Sequence, residues 1–155
     1  MNQQDLKAEA LFQEGYNCAQ AVFVAFHDSL GMEKDTALRL MSSFGGGMGR
    51  LREVCGALTA VFAAAGILYG YSNPDDQNQK AAHYALIQEL AERFRKETGS
   101  ILCRDLLQLT ETSSDPTPEL RTPEYYEKRP CAAYVRLGAS LLEELVSAKG
   151  KSNMT

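Results

Sequence analysis

Four cysteines, at positions 18, 55, 103 and 131, are the residues of this 155-residue chain whose type and placement invite chemistry. A thiolate is both the nucleophile of disulfide exchange and a metal ligand. No two of them form CxxC, and the gaps far exceed those of a zinc knuckle or ribbon. Any shared chemistry must therefore be assembled by the fold. Each cysteine lies where sequence signals start a helix. Cys18 follows Asn17, a strong N-cap, and Cys103 lies three residues past Ser100, another capping residue. Cys55 comes soon after the glycine loop GGGMG, and Cys131 follows Pro130, a residue favoured at the first helical position.

The first turn of a helix carries free backbone N–H groups and the positive end of the macrodipole, which favour thiolate over thiol. Arginines strengthen the pattern: Arg50 and Arg52 precede Cys55, Arg104 adjoins Cys103, and Arg129 is two residues before Cys131. Cys55 is expected to be the nucleophile, since it combines the glycine loop, two arginines and an inferred helix start. Cys18, Cys103 and Cys131 are its candidate resolving partners, and four cysteines allow three pairings. Burial is the competing account, because free cysteine behaves as a small hydrophobe. Cys18 shares an apolar stripe with Val22 and Phe26, Cys55 with Leu58 and Phe62, Cys103 with Leu106 and Leu107, and Cys131 with Val135 and Leu142.

The elements that must position these thiols read as helices throughout. Residues 4–14 place Leu6, Ala10 and Leu11 near one face, and a second helix runs from Asn17 to about Leu30. A shorter helix covers 33–43, and a central uncharged one runs from about Arg52 to Gly70. An amphipathic helix over 77–98 carries Ala82, Leu86, Leu90 and Phe94, and a short helix extends from Ser100 to Leu107. Residues 110–130 hold four of the five prolines and read as a loop, before a last helix over about 131–147. Sustained period-two alternation is absent, so the fold class is all-α: a single-domain bundle of six or seven helices over 1–150, with 151–155 a disordered tail.

Composition narrows the function classes. Apolar residues make up 45% and charged residues 23%, an ordinary globular balance. A net charge of −4 argues against nucleic acid or an anionic membrane as partner. Residues 54–70 are uncharged but rich in Ala and Gly, and read as a buried central helix in preference to a membrane span. No signal peptide is evident, so the thiols are expected in a reducing cytoplasm, where lasting disulfides are uncommon. The glycine loop fits neither GxxxxGK[ST] nor GxGxxG. It reads first as a tight helix corner, with an anion nest, or delivery of donors to Cys55, as further options. Gly56 and Ala60, or Gly66 and Gly70, lie one turn apart and let a neighbouring helix pack closely, which could also bring that helix's cysteine near. His27 and His83 have no metal-pair spacing, and His27 reads as a solvated or satisfied side chain.

At these residues the chain resembles a known family. GYNCAQAVFVAF, then FGGGMG followed by VCGALTA, then single cysteines at 103 and 131, is similar to the C-GCAxxG-C-C family of redox-active proteins. The resemblance covers roughly residues 6–147 and implies a small helical protein in which Cys18, Cys55, Cys103 and Cys131 are the site. Some members are selenoproteins, which implies that a cysteine position there is reactive. One departure is Ala60, where the motif has its last glycine. The expectation is thus a thiol-redox protein with no cofactor and an unknown thiol or disulfide partner. The alternatives are an all-thiolate metal or iron–sulfur site and a helical interaction module with inert buried cysteines.

Overall fold

The computed structural model describes residues 2–111 and 115–153. Among them eight helices and no strand are found, so the all-α expectation holds, and six of the helices have at least seven residues. They are α1 (Gln3–Gln13), α2 (Cys18–Val24), α3 (Lys34–Met41), α4 (Gly56–Tyr69), α5 (Gln77–Thr98), α6 (Cys103–Leu106), α7 (Pro123–Lys128) and α8 (Cys131–Asn153).

The caps show why the chain folds where it does. Asn2 with Asp5, and Asn17 with Gln20, form capping boxes that satisfy orphan amides at the starts of α1 and α2. Asp76 caps α5, which ends at Gly99 in the left-handed conformation. The centre is the pair α2 and α4, with α8 lying against both and against α1. Ala57, Ala60 and Ala64 on α4 are fully buried, and small residues let these backbones approach. A Cβ on Gly138 of α8 would sit 3.1 Å from the Ala57 carbonyl oxygen. Phe12, Phe23, Phe26, Phe94, Leu58 and Leu142 fill the core around this contact, each contributing roughly 1.5–3 kcal/mol on burial.

Several boundaries differ from the sequence reading, each for a physical reason. α2 ends at Val24, and residues 25–31 continue as tight turns, with Phe26 N–H bonded to Phe23 and His27 N–H to Val24. On α1 the buried face is Asp5, Ala8, Leu11 and Phe12, whereas Leu6 is exposed. α4 starts at Gly56, later than expected, because Glu53, Val54 and Cys55 pair with residues 101–103. Within the proline-rich stretch, Thr122 caps a helical turn begun by Pro123, giving α7. The last helix continues to Asn153, past the expected end near 147. The Tyr69 hydroxyl donates to the Leu145 carbonyl, and the Lys149 ammonium lies over the Tyr69 ring, so its C-terminal half is tied to α4. Residues 154–155 of the expected tail lie outside the described residues. No helix among the described residues is long and apolar enough to cross a membrane.

Candidate functional site

All four cysteines stand at helix starts, as their sequence neighbours indicate. Cys18, Cys103 and Cys131 are the first residues of α2, α6 and α8, and Cys55 is the N-cap of α4. The cap before Cys103 is Leu102; Ser100 instead accepts the Leu102 N–H through its hydroxyl. The four helix starts line one cavity of about 470 Å³, within the size range of small-molecule sites.

Backbone pairing fixes two of them. The Cys55 N–H donates to the Ile101 carbonyl at 2.8 Å, and the Cys103 N–H donates to Glu53 at 2.7 Å. Cys18 is brought to this corner by the glycine of α4. A Cβ on Gly56 would lie 2.6 Å from the Cys18 Sγ and 2.7 Å from the Phe44 carbonyl oxygen. Close approach of a cysteine-bearing helix at Gly56 is thus what the geometry shows.

The loop over residues 45–52 closes the cavity from another side. Gly46, Gly47 and Gly49 are left-handed, and so are Met48, Arg50 and Arg52, which lack glycine's freedom. Each non-glycine residue there costs about 1 kcal/mol or more. The conformation is held by Arg52 N–H to the Gly46 carbonyl and Glu53 N–H to Gly47. At Gly47 a Cβ would meet the Cys103 Cβ at 2.6 Å. The loop serves other cysteines than the one expected. Its Gly46 N–H goes to the Cys18 sulfur, and the buried Arg52 guanidinium donates from Nη1 to the Cys103 Sγ at 3.5 Å.

Electrostatics separate the four thiols. Cys18 is lowered from 9.0 to about 6. The main cause is the Cys55 thiol, which donates a hydrogen bond to the Cys18 sulfur. The N–H groups of Gly46, Ala19 and Ala57 add to this, against the opposing effect of burial. Donors aimed at a thiolate favour it over the thiol. Cys55 is raised well above 9.0, first because its proton is engaged with Cys18 and then through burial. Burial also raises Cys103, with Arg52 opposing, and pushes Cys131 up to about 12, helped by the negative charge of Cys18 and, once it ionises, that of Cys103. Cys18 and Cys131 are part-exposed, whereas Cys55 and Cys103 are buried. Donors therefore converge on Cys18, while Cys55, the expected nucleophile, is tied to it and raised.

The neighbouring arginines are not distributed as the sequence neighbours suggest. Arg104 reaches Glu53 at 3.5 Å, and Arg129 pairs with Glu119. Sequence reading passed over Arg121, which lines the cavity from the turn before α7. It donates to the carbonyls of Phe12 and Tyr16 at 3.0 Å and lies over the Phe12 and Tyr125 rings. Its position comes from contacts more than 100 residues apart in the chain, which no local pattern reveals. Tyr125 lines the cavity while Tyr126 packs edge-on against Phe12. His27 is satisfied, its Nδ1 2.9 Å from the Met32 carbonyl. Among the described residues, no group of three or more His, Cys, Asp or Glu is arranged to hold a metal ion.

Compared with known proteins, residues 16–145 match the family model described as "Putative redox-active protein (C_GCAxxG_C_C)". The chain belongs to that family. No curated protein and no solved structure matches it.

Proposed function

We propose that this member of the C-GCAxxG-C-C family performs thiol–disulfide exchange with Cys18 as nucleophile and Cys55 as resolving thiol. The observation that carries the reading is the packing of Cys18 against the start of α4, where a Cβ on Gly56 would lie 2.6 Å from the Cys18 Sγ beside the N-cap Cys55; the Cys55 thiol and nearby amides favour the Cys18 thiolate there. A pKa of about 6 keeps most of Cys18 as thiolate at neutral pH, and its part-exposure admits a reactant. A disulfide partner supplies the oxidant.

The steps balance as follows. The Cys18 thiolate attacks one sulfur of R–S–S–R, forming Cys18–S–S–R and releasing R–S⁻. The Cys55 sulfur then attacks Cys18 Sγ, closing a Cys18–Cys55 disulfide and expelling the second R–S⁻, which takes the Cys55 proton. Two electrons pass from the protein dithiol to the substrate disulfide. Cys103 and Cys131, both held as thiols, flank the reacting pair in the same cavity.

Reduced protein mixed with hydroxyethyl disulfide tests this by mass spectrometry of the products. Wild type should yield a Cys18–Cys55 disulfide peptide. Cys55→Ser should accumulate the mixed disulfide on Cys18, and Cys18→Ser should form neither. A dominant disulfide between any other pair, or unchanged reaction in Cys18→Ser, would sink the assignment.

A further inference from the structure

The cavity wall carries a charge that the exchange chemistry does not use. Arg50, Arg52, Arg121 and Arg129 line it, against Glu119 as the one carboxylate, although the whole chain has a net charge of −4. Glu119 is engaged by Arg129, and Arg50 donates from Nε to the Asp115 carbonyl. Arg52 and Arg121 have no carboxylate partner among the described residues. Arg52 is only 8% exposed, yet among the described residues its side chain bonds only to the Cys103 sulfur, at 3.5 Å. Arg121 gives three of its five N–H groups to neutral oxygens.

A buried guanidinium is strongly disfavoured unless an anion meets it. Cys103 is not that anion, because burial holds it as a thiol. Arg52 is also kept in place by a loop whose left-handed residues are costly, so its aim into the cavity is maintained against strain. The planar guanidinium fork matches the two oxygens of a carboxylate.

We propose that the cavity takes a small disulfide bearing a carboxylate, which Arg52 and Arg121 bind while its S–S bond meets Cys18. This deepens the exchange reading and rests on it. The volume of about 470 Å³ suits a small molecule, and the acidic end, not the apolar body, selects the substrate. A positive wall inside an acidic protein also attracts an anion to the part-exposed thiolate that would otherwise repel it.

The test compares dithiodiglycolate, which carries two carboxylates, with hydroxyethyl disulfide, which carries none. Each rate with reduced protein is divided by that of a free small thiol with the same disulfide. The normalised rate should favour the dicarboxylate by about tenfold or more, and Arg52→Met should remove most of that preference. Arg52→Lys should restore part of it, since the charge returns without the fork. Arg121→Gln should also lower the preference, and it serves where Arg52→Met does not fold. Glutarate, which cannot exchange, should raise the thermal midpoint of wild type above that in chloride of equal ionic strength, and do so less in the arginine variants. Equal normalised rates with no glutarate effect would overturn the carboxylate site while leaving exchange at Cys18 intact. A glutarate effect with no reaction of either disulfide would overturn the exchange reading and the proposed substrate together.

Discussion

Cys18 and Cys131 begin helices that face the same cavity, yet one is lowered to about 6 and the other pushed up to about 12. Helix length does not explain the difference. Cys131 starts α8, the longest helix at 23 residues, and Cys18 starts α2, with seven. A macrodipole contributes roughly 0.3–1 kcal/mol at an end, less than the 1.36 kcal/mol or so that one pKa unit represents. Specific donors decide instead. Cys18 collects amides from its own helix, from α4 and from the glycine loop, as well as the Cys55 thiol. Cys131 faces burial and the negative charge of Cys18, which Arg129 and Arg121 offset only in part. A helix start is a location for a thiolate, and convergence of several segments makes it one.

The largest expected effect is in reactivity. At pH 7 Cys18 should alkylate with iodoacetamide faster than Cys131 by about two to three powers of ten, because its larger thiolate fraction outweighs the lower nucleophilicity of a less basic sulfur. Peptide mass spectrometry over time gives both rates in one sample. Cys18→Ser should then raise the Cys131 rate, since removing a nearby negative charge lowers the Cys131 pKa. Equal rates in the folded wild type would erase the contrast between the two helix starts.

A packing change should act on one side of the comparison alone. In Gly56→Ala the new Cβ would need space 2.6 Å from Cys18 Sγ and 2.7 Å from a backbone oxygen of Phe44. Overpacking of this kind costs about 1–3 kcal/mol, readable as a lower thermal midpoint. Displacing the sulfur from its donors should also raise the Cys18 pKa above about 6, with Cys131 still slow. An unshifted pH profile for Cys18 alkylation would mean that the α2–α4 contact does not set its acidity.

The two cysteines should also give opposite slopes of stability with pH. Cys18 is depressed from 9.0 to about 6, so its contribution is present above 9.0 and is lost as pH falls through 6. Cys131 is raised from 9.0 to about 12, so its contribution is present below 9.0 and is lost as pH climbs toward 12. Between pH 6 and 8.5, wild type should gain stability over Cys18→Ser by on the order of 1–3 kcal/mol. Urea denaturation of the pair at several pH values measures this; groups that do not feel Cys18 cancel in the difference, and the relief of Cys55 and Cys131 in Cys18→Ser acts above the window. A gap that shrinks as pH rises would reverse the sign assigned to Cys18.

Most of the fold was legible because its signals are local. Asn17 followed by Gln20 announces a capping box, Asp76 and Gly99 bracket α5, and the uncharged run after Cys55 announces the buried α4. The cysteines at helix starts were legible for the same reason. Their division of labour was not. The donor that most lowers Cys18 belongs to Cys55, and the arginine nearest Cys55 in sequence reaches Cys103 instead. The turn at Arg52 is left-handed, which reverses where a neighbour in sequence points. Arg121 reaches α1 and its following turn across most of the chain, so neither its role nor the cavity it lines is written in any window of residues.

The smallest expected effect tests that lesson directly. Arg104 adjoins Cys103 in sequence, and on sequence grounds it is the cation to stabilise a thiolate there. In the fold it reaches Glu53 at 3.5 Å, with both side chains some 41–51% exposed. Exposed pairs are worth about 0–1 kcal/mol and are screened by salt. Arg104→Ala should therefore change the denaturation midpoint by little, less so in high salt, and leave the pH dependence of Cys103 alkylation where it was. Arg52→Met, by contrast, removes the guanidinium that opposes burial at Cys103 and should push that thiol further up. If the two variants moved Cys103 equally, adjacency in sequence would count for as much as the contact in space. The 3.5 Å contact between the Arg52 Nη1 and the Cys103 sulfur says that it does not.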